Sequence, residues 1–309
     1  MKEGNGLKKV IFWIIGIVSV IVIGVGIYAY NMYSSVSNTL DAVHKPLSRE
    51  KSDKRSEKVD VSDKKPISIL MLGVDQRGAD QGRSDSLMLF TLNPKTNSMK
   101  ITSIPRDSYT EIVGKGKKDK INHAYAFGGI DMSVKTVENF LDVPIDYYIE
   151  VNMEGFKDIV DAVGGIDINN DMDFTIDNVH YPKGDLHLDG EKALLFTRMR
   201  YQDTRGDFGR QMRQRQVIQA VIKKGASFSS LASYGDVLKA IEKNVKTSLT
   251  QEQMFDIQKN YKECINNTEE VQIPGDGHKA ADGIWYYYVT EQAKNDLTNK
   301  LREHLELKK

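Results

Sequence analysis

Six arginines are concentrated in the segment Thr197–Gln216, TRMRYQDTRGDFGRQMRQRQ, which contains two aspartates and no lysine. The whole chain has 31 lysines and only 12 arginines, so half of the arginines fall in about a fifteenth of its length. Lysine provides a point charge, whereas the planar guanidinium group provides paired donors that hold phosphate oxygens in a fixed orientation. The segment therefore predicts a binding site for an oriented anion, such as two linked phosphates.

Two parts of this segment are placed to bind such an anion. Arg198 and Arg200 are two positions apart, at the point where a predicted helix ends. The next predicted helix begins a few residues later, and a helix start presents unpaired N–H groups and a positive dipole to an anion. Its first turns bring three side chains to one face, at positions i, i+3 and i+4, namely Arg210, Arg213 and Gln214. We therefore expect a clamp that is assembled from a loop and a helix start.

A solvated basic face, a nucleic-acid site and a structural ion-pair network are the alternatives to an anion clamp. A solvated basic face would contain lysine, which is the cation that this chain otherwise prefers. A nucleic-acid partner is not expected, because the formal net charge is zero and no recognisable nucleic-acid-binding module is present. Ion pairs with Asp203 and Asp207 account for part of the cluster, with Arg205 and Arg215 as the expected members. Two carboxylates, however, cannot satisfy six guanidinium groups.

A second set of charged residues lies at the ends of three predicted strands. Asp75 ends an apolar run, Arg83 and Asp85 begin the next one, and Arg106 and Asp107 follow the third. Consecutive strands that pair as a meander bring these five residues to one edge of a sheet. Carboxylates there would bind Mg²⁺, which shares phosphate ligands, and the arginines would bind the same phosphate. The alternative is a surface network whose charges neutralise each other.

The remaining sequence from 66 to 309 predicts an α/β domain around these strands. Helical periodicity is found at 131–141 and at 152–165, where a glycine pair ends the second helix. Asp189 is expected to cap a helix that leads into the arginine-rich segment. The apolar stripes of the helices predict an ordinary core, and an acyl groove is the alternative interpretation.

The segment 120–129, KINHAYAFGG, has no clear helical or strand pattern. Its polar and aromatic side chains, His123 and Tyr125, could line a pocket. A packed loop is the favoured interpretation for both.

The N-terminal sequence predicts a membrane anchor. Residues 10–30 form an uncharged apolar run, which as a helix is about 31 Å long, the thickness of a bilayer's hydrocarbon core. Lysines precede the run and none follows before Lys45, so a short cytoplasmic N-terminus is expected at 1–9. A cleaved signal peptide is less favoured, because the run is long and lacks a small-residue cleavage site. Residues 31–65 carry many charges of both signs and predict an exposed extracytoplasmic stalk. The expected protein is a single-pass type II protein of the cell membrane with an extracytoplasmic domain.

Five blocks in this order behind the predicted anchor resemble the LytR–CpsA–Psr family: MLGVDQR, GRSDSLMLFTLNP, SIPRD, KINHAYAFGG and the arginine-rich segment. The resemblance covers essentially all of 66–309 and implies a catalytic domain built as an α-β-α sandwich with a mixed central sheet. It also implies a phosphotransferase that moves an anionic glycopolymer, wall teichoic acid, from undecaprenyl pyrophosphate to the 6-hydroxyl of N-acetylmuramic acid in peptidoglycan. Undecaprenyl phosphate is released, and an apolar tunnel between sheet and helices is implied for the prenyl chain.

The resemblance assigns roles to individual residues. Asp75 and Asp85 match the aspartates that are associated with Mg²⁺ in the family. The positions that match its pyrophosphate-binding residues are Arg83, Arg106, Arg198, Arg200, Arg210 and Gln214. The first four of these are also expected to stabilise the phosphoryl group during transfer. Attack by a sugar hydroxyl is helped by a general base, for which the candidates are Asp85, Asp107 and Asp203.

Two other functions fit the same residues. A polyprenyl-pyrophosphate hydrolase would use the same arginines with water as the acceptor. A non-catalytic regulator of cell-wall metabolism would instead have DNA or a protein as its main ligand. The predicted orientation of the anchor argues against DNA.

Overall fold

The computed structural model describes residues 33–75, 82–226 and 234–308, and its centre is a mixed β-sheet. The strands are β1 (Ile67–Asp75), β2 (Arg83–Asn93), β3 (Ser98–Ser103), β4 (Tyr109–Ile112), β5 (Lys117–Lys120), β6 (Tyr147–Asn152), β7 (Ile166–Asn170), β8 (Phe174–Ile176), β9 (Val179–Tyr181), β10 (Gly184–Leu188), β11 (Val245–Thr247), β12 (Thr268–Gln272), β13 (Asp276–Lys279) and β14 (Trp285–Tyr288). The helices are α1 (33–43), α2 (His123–Leu141), α3 (Met153–Ala162), α4 (Gly190–Arg198), α5 (Asp207–Ala226), α6 (Tyr234–Asn244), α7 (Gln251–Tyr261) and α8 (Glu291–His304). The central sheet has the strand order β11-β6-β1-β2-β3-β12.

Strands β1, β2 and β3 form the antiparallel meander that the sequence predicted. Ile67 lies opposite Leu92 and Asp75 lies opposite Arg83, while β3 extends the sheet beyond β2. Strand β6 joins β1 and strand β12 joins β3, both in parallel. Most residues of β1 and β2 are buried, because helices cover both faces of the sheet. This double burial explains why their sequences are continuous apolar runs rather than alternating patterns.

Helices pack on both faces of the sheet. On one face, Leu70, Leu72 and Leu89 belong to a buried cluster that includes side chains of α2 and α8. On the other face, Val151 belongs to a cluster with side chains of α3, α4 and α5. The chain therefore has the mixed α/β architecture, with a helix-covered central sheet, that was expected.

The helix ends near the arginine-rich segment follow local sequence signals. The carboxylate of Asp189 accepts a hydrogen bond from the backbone N–H of Lys192 and caps α4, as predicted. The glycine pair after α3 has positive φ angles of 80° at both Gly164 and Gly165, a conformation that ends a helix. These signals place α4 so that it ends at Arg198, at the start of the arginine cluster.

The segment 120–129 is not the packed loop that the sequence suggested. Helix α2 already begins at His123, and a kink at Gly128 and Gly129 interrupts its regular backbone. Tyr125 is buried in the core, and burial raises the pKa of its hydroxyl. The kink separates two short helical periods, which explains why periodicity first became recognisable at residue 131.

Residues 44–65 are not the exposed stalk that their composition predicted. Arg49 forms a bidentate ion pair with the buried carboxylate of Glu138, at 2.5 and 2.8 Å. Arg55 contacts both carboxylate oxygens of Asp146, at 2.6 and 2.7 Å. Val61 is fully covered by the third core cluster. The segment therefore packs on the domain, through partners that lie about ninety residues away in sequence.

The predicted membrane anchor at 10–30 and the N-terminus at 1–9 lie outside the described residues. Among the described residues, no helix combines the length and the apolar character that crossing a bilayer requires.

Candidate active site

Asp85 lies at an irregularity in the pairing of β1 with β2. Gly73 pairs with Ser86 and the next residue, Val74, pairs with Ser84, so Asp85 is the extra residue of a β-bulge. A bulge redirects a side chain out of the regular alternation and is common beside active sites. One carboxylate oxygen of Asp85 lies 2.9 Å from Nη1 of Arg106. The structure thus brings together the start of β2 and the segment that follows β3.

Asp107 is the third charged residue of this group. Its Oδ2 lies 3.8 Å from Nε of Arg106, and its Oδ1 lies 2.8 Å from Nζ of Lys120. Lys120 ends β5 and was not among the residues predicted from the sequence. The pairing of β4 with β5 brings this lysine back to Asp107. The signal that could have revealed this hairpin is the turn between the two strands, where Gly114 and Gly116 both have positive φ angles.

Arg210 projects from the first turn of α5 and is only 8% exposed. Its Nη2 lies 2.6 Å from a carboxylate oxygen of Asp207. Burial lowers the pKa of Arg210, Asp207 opposes this, and the positive charges of Arg106 and Arg200 lower the pKa further. Three guanidinium groups from three different segments are therefore close enough to repel one another. An anion between them would relieve that repulsion.

Two buried donors in this cluster lack acceptors. Within the described ranges, Nε of Arg106 and Nε of Arg210 have no hydrogen-bond partner. Buried polar atoms are normally satisfied, so such exceptions indicate a missing ligand or solvent. Nε of Arg213 is a third such atom, but both terminal nitrogens of Arg213 bind protein acceptors. The arrangement around Arg106 and Arg210 is suited to binding the oxygens of a phosphate group.

The other predicted arginines lie at the ends of strands and helices. Arg83 is exposed at the last position of the β1–β2 ladder, opposite Asp75. Arg198 is the exposed last residue of α4, and Arg200 follows it in the connection to α5. Of these three arginines, Arg200 is the one that interacts electrostatically with Arg210.

Asp203 is a buried ion-pair partner rather than the general base that the sequence suggested. Its carboxylate accepts hydrogen bonds from Arg205, at 2.9 and 3.0 Å, and from Arg213, at 2.6 Å. Burial alone would raise the pKa of Asp203, but these hydrogen bonds hold it well below its usual range. A carboxylate that is so strongly stabilised in its charged form is a poor proton acceptor.

The same ion-pair network explains the glycine at position 209. Gly209 lies inside α5, and a Cβ atom at this position would be 1.9 Å from Oδ2 of Asp203. Position 209 therefore requires glycine, because the carboxylate of Asp203 lies so close to its backbone. Arg213, expected beside Arg210 in the clamp, instead donates to Asp203 and to the carbonyl oxygen of Met199.

Arg205 and Arg215 have the structural roles that were expected, although one partner differs. Arg205 binds Asp203, together with Asp171 at 2.6 Å. Arg215 is buried and binds Glu270 of β12 at 2.8 Å, rather than either of the predicted aspartates. Three of the six arginines in the segment therefore stabilise the fold.

A small apolar pocket, with a cavity volume of about 40 Å³, lies between the sheet and the helices α3, α4 and α5. Gln214 lines it and accepts a hydrogen bond from the hydroxyl of Ser86, at 3.3 Å. Apart from Ser86, Gln214 and Thr197, the lining is apolar and consists of Met71, Gly73, Val151, Met153, Phe156, Val217 and Ile218. The lining suits hydrocarbon, and a cavity of this size would hold a few carbon atoms next to Gln214, which lies one helical turn from Arg210 on α5.

Comparison with known proteins identifies close relatives of this chain. The model of the LytR_cpsA_psr family matches residues 30–303. The polyisoprenyl-teichoic acid–peptidoglycan teichoic acid transferase TagU of Bacillus mycoides (strain KBAB4) is 72% identical over 302 residues, which cover 98% of this chain and 99% of that protein.

Two solved structures support the same relationship. The crystal structure of B. subtilis TagU is 49% identical, with a TM-score of 0.65, and the match covers 80% of this chain and 99% of that one. The structure of TagT bound to LI-WTA is 32% identical, with a TM-score of 0.71, and the match covers 85% of this chain and 100% of that one. Sequence and fold together show that this chain belongs to the LytR_cpsA_psr family, the LytR–CpsA–Psr family that its motifs resemble.

Proposed function

We propose that this protein is a phosphotransferase that attaches wall teichoic acid, an anionic glycopolymer, to peptidoglycan. The donor is the polymer on undecaprenyl pyrophosphate, and the acceptor is the 6-hydroxyl of N-acetylmuramic acid. The observation that carries this proposal is that Arg106 and Arg200 lie close enough to Arg210 to lower its pKa, while Nε of Arg106 and Nε of Arg210 have no acceptor among the described residues. It agrees with the reaction named for the 72% identical B. mycoides relative.

The arginines bind the pyrophosphate and stabilise the charge that develops during transfer. In phosphoryl transfer, negative charge spreads over the non-bridging oxygens, so catalysis depends mainly on positioned positive groups. Arg106 and Arg210 supply buried donors, and Arg200 adds charge from the α4–α5 connection. Arg83 and Arg198 are exposed, and we assign them to the solvent-facing oxygens of the pyrophosphate.

The acceptor hydroxyl attacks the phosphorus that carries the polymer. A new O–P bond forms, the bond to the bridging oxygen breaks, and undecaprenyl phosphate leaves with that electron pair. We assign Asp107 as the acceptor of the hydroxyl proton, because its Oδ2 lies beside Arg106 without being hydrogen-bonded to it. Each of the two carboxylates has one oxygen in an ion pair, Asp85 with Arg106 at 2.9 Å and Asp107 with Lys120 at 2.8 Å. Asp85 is less suited, because it is also assigned to Mg²⁺.

Asp75 and Asp85 are the residues that would hold Mg²⁺. Within the described residues, no group of three or more acidic, histidine or cysteine side chains could enclose a metal ion. Two carboxylates at adjacent strand ends nevertheless suit Mg²⁺, which retains water and takes further oxygens from bound phosphates. When bound, the ion would neutralise charge on the pyrophosphate.

The lipid end of the donor is assigned to the apolar pocket. Gln214 and Ser86 line the pocket, so the first carbons of a prenyl chain bound there would lie one helical turn from Arg210. A lipid-linked donor also requires the domain to stay close to the extracytoplasmic surface of the cell membrane. The anchor predicted at 10–30, with the domain on the extracytoplasmic side, would meet this requirement.

A transfer assay separates the proposed function from its alternatives. The full chain in detergent is incubated with lipid-linked polymer, Mg²⁺ and soluble peptidoglycan glycans, and the polymer is traced by its phosphate. Polymer joined to muramic acid is expected. Release of free polymer phosphate alone would instead establish a hydrolase. Recovery of the domain in the cytoplasm after surface proteolysis of intact cells would contradict the proposed topology and favour a regulator.

A further inference from the structure

An aromatic surface adjoins the proposed active site. We define the aromatic face as Tyr109, Tyr286, Tyr288 and His278. The ring of Tyr109 lies 4.7 Å from that of Tyr286 and 5.4 Å from that of Tyr288. His278 stacks on Tyr288 at 4.2 Å, with an interplanar angle of 16°. Two separate hairpins, β4–β5 and β13–β14, therefore contribute rings to one surface.

This surface is only partly covered by protein. Tyr109 is 36% exposed, His278 is exposed and Tyr288 is half-buried. Among the described residues, no hydrogen bond is made by the hydroxyl of Tyr109 or Tyr288. Partly exposed aromatic rings with available hydroxyls are suited to a ligand that offers both C–H faces and polar groups, as a sugar ring does.

The hairpin that carries most of these rings is closely packed. A Cβ at Gly277 would lie 2.0 Å from the indole of Trp285, so this tryptophan lies directly over the glycine backbone. A Cβ at Gly275 would similarly meet the ring of Tyr287, at 2.8 Å. Such close contacts hold the hairpin, and with it Tyr286 and Tyr288, in a defined position.

The aromatic face is joined to the catalytic residues by direct contacts. The backbone N–H of Tyr287 donates to the carbonyl oxygen of Asp107 at 2.9 Å. Nζ of Lys120 lies 2.8 Å from a carboxylate oxygen of Asp107 and 5.8 Å from the ring centre of Tyr286. The face therefore begins at the residue that we assign as the general base.

The order of strands separates the aromatic face from the lipid pocket. The pocket is lined by residues of β6, β1 and β2, whereas Arg106 and Asp107 follow β3 and the aromatic face lies beyond them. In an in-line displacement, the nucleophile enters on the side opposite to the leaving group. With the departing lipid phosphate on the pocket side, the acceptor hydroxyl must enter from the side of the aromatic face.

We infer that the aromatic face binds sugar rings of the acceptor glycan strand by stacking; this inference rests on the proposed function. The charged groups next to the face have both signs, with Lys120 on one side and Asp276 and Asp282 on the other. A polyanionic donor chain would gain little from such a mixed environment. The largely uncharged hexose rings of a glycan are therefore favoured as the occupant.

Glycan binding without donor tests this inference. The probe is soluble, uncrosslinked glycan strands of alternating N-acetylglucosamine and N-acetylmuramic acid, bound to the full chain in detergent. The double substitution Tyr109→Ala and Tyr288→Ala is expected to weaken binding about tenfold, through the loss of two stacked rings. The matching Tyr→Phe double variant keeps both rings and should bind within about threefold of the unaltered chain. Phe255→Ala removes an exposed ring on α7 and serves as the control for nonspecific effects.

The possible outcomes are distinct. Unchanged glycan affinity in the alanine double variant would overturn the inference. Weaker binding of the lipid-linked polymer, with glycan affinity unchanged, would also overturn it and assign the face to the donor. If the double variant has a lowered melting temperature, Tyr109→Ala alone decides, because this ring is the most exposed of the three tyrosines. Failure of polymer transfer with glycan binding intact would count against the proposed function only.

Discussion

Replacing two arginines of different environment by alanine should separate catalysis from stability. Arg106 contacts Asp85 at 2.9 Å and keeps a buried Nε without an acceptor in the described part of the chain. Arg213 is fully buried, and its terminal nitrogens bind Asp203 at 2.6 Å and the carbonyl oxygen of Met199 at 2.7 Å. We expect Arg106→Ala to abolish transfer with little change in stability, and Arg213→Ala to destabilise the fold.

The magnitudes follow from these contacts. Removal of one charged donor to a developing phosphoryl charge costs about 10²–10³-fold in kcat. Loss of Arg106 also relieves its repulsion with Arg210, which offsets the lost pair with Asp85 and keeps the stability change within about 1 kcal/mol. Removal of Arg213 takes one hydrogen bond from the buried Asp203, which keeps Arg205, and removes the donor to the carbonyl oxygen of Met199. We expect a cost of about 2–3 kcal/mol, or a melting temperature lower by roughly 5–10 °C.

Transfer rate and thermal unfolding are measured on both variants, with Arg106→Lys as the matched control. Lysine keeps the charge but loses the paired donors, so its rate should fall between those of the unaltered chain and Arg106→Ala. Two results would refute the reasoning. One is transfer within twofold of normal in Arg106→Ala. The other is an unchanged melting temperature in Arg213→Ala.

Three further substitutions probe other parts of the structure. Gly209→Ala should lower the melting temperature by several degrees, because its Cβ would lie 1.9 Å from Oδ2 of Asp203; an unchanged transition would contradict that contact. Burial lowers the pKa of His304 from 6.5 to about 4. As the pH falls, the imidazole of His304 is therefore protonated in the unfolded chain before it is protonated in the folded chain. The free energy of unfolding decreases by about 3 kcal/mol between pH 6.5 and pH 4. In denaturant titrations at a series of pH values, His304→Gln should therefore make the free energy of unfolding nearly independent of pH over this interval. Arg49→Ala should cost about 3 kcal/mol in the same titrations, because it strands the buried carboxylate of Glu138; a neutral result would favour an exposed segment.

The sheet and part of the site were predictable because local signals agree with the tertiary structure. Apolar runs bounded by turns define β1, β2 and β3, and short connections between them leave antiparallel pairing as the simplest arrangement. Strand ends then determine which charged residues meet, as the contact between Asp85 and Arg106 shows. The bulge at Asp85 was not predictable, because it depends on the register of two strands rather than on one sequence motif.

Contacts between distant segments account for what the sequence did not reveal. The mixed charges of residues 44–65 have the composition of a solvated stalk, yet Arg49 and Arg55 each meet a carboxylate from another element. Lys120 reaches Asp107 only because a short hairpin folds back. In both cases, composition describes the average environment of a segment, whereas one bidentate ion pair or one hairpin determines where it packs.

The arginine excess has two physical causes, and helical spacing alone cannot separate them. Arg213 and Arg215 each bind a carboxylate together with a second, neutral acceptor at a different position. A single ammonium group reaches two such acceptors poorly, so lysine would leave a buried acceptor without a donor. At Arg106 and Arg210 the neighbours include other cations, and donors remain without acceptors among the described residues. Each of these two arginines also contacts one carboxylate, Asp85 or Asp207, and we propose that the remaining donors bind the phosphate groups of the donor substrate. Arg210 and Arg213 are only three positions apart on α5, yet arginine has a different purpose at each position. Arg213 binds a carboxylate of the fold, whereas Arg210 belongs to the proposed phosphate site.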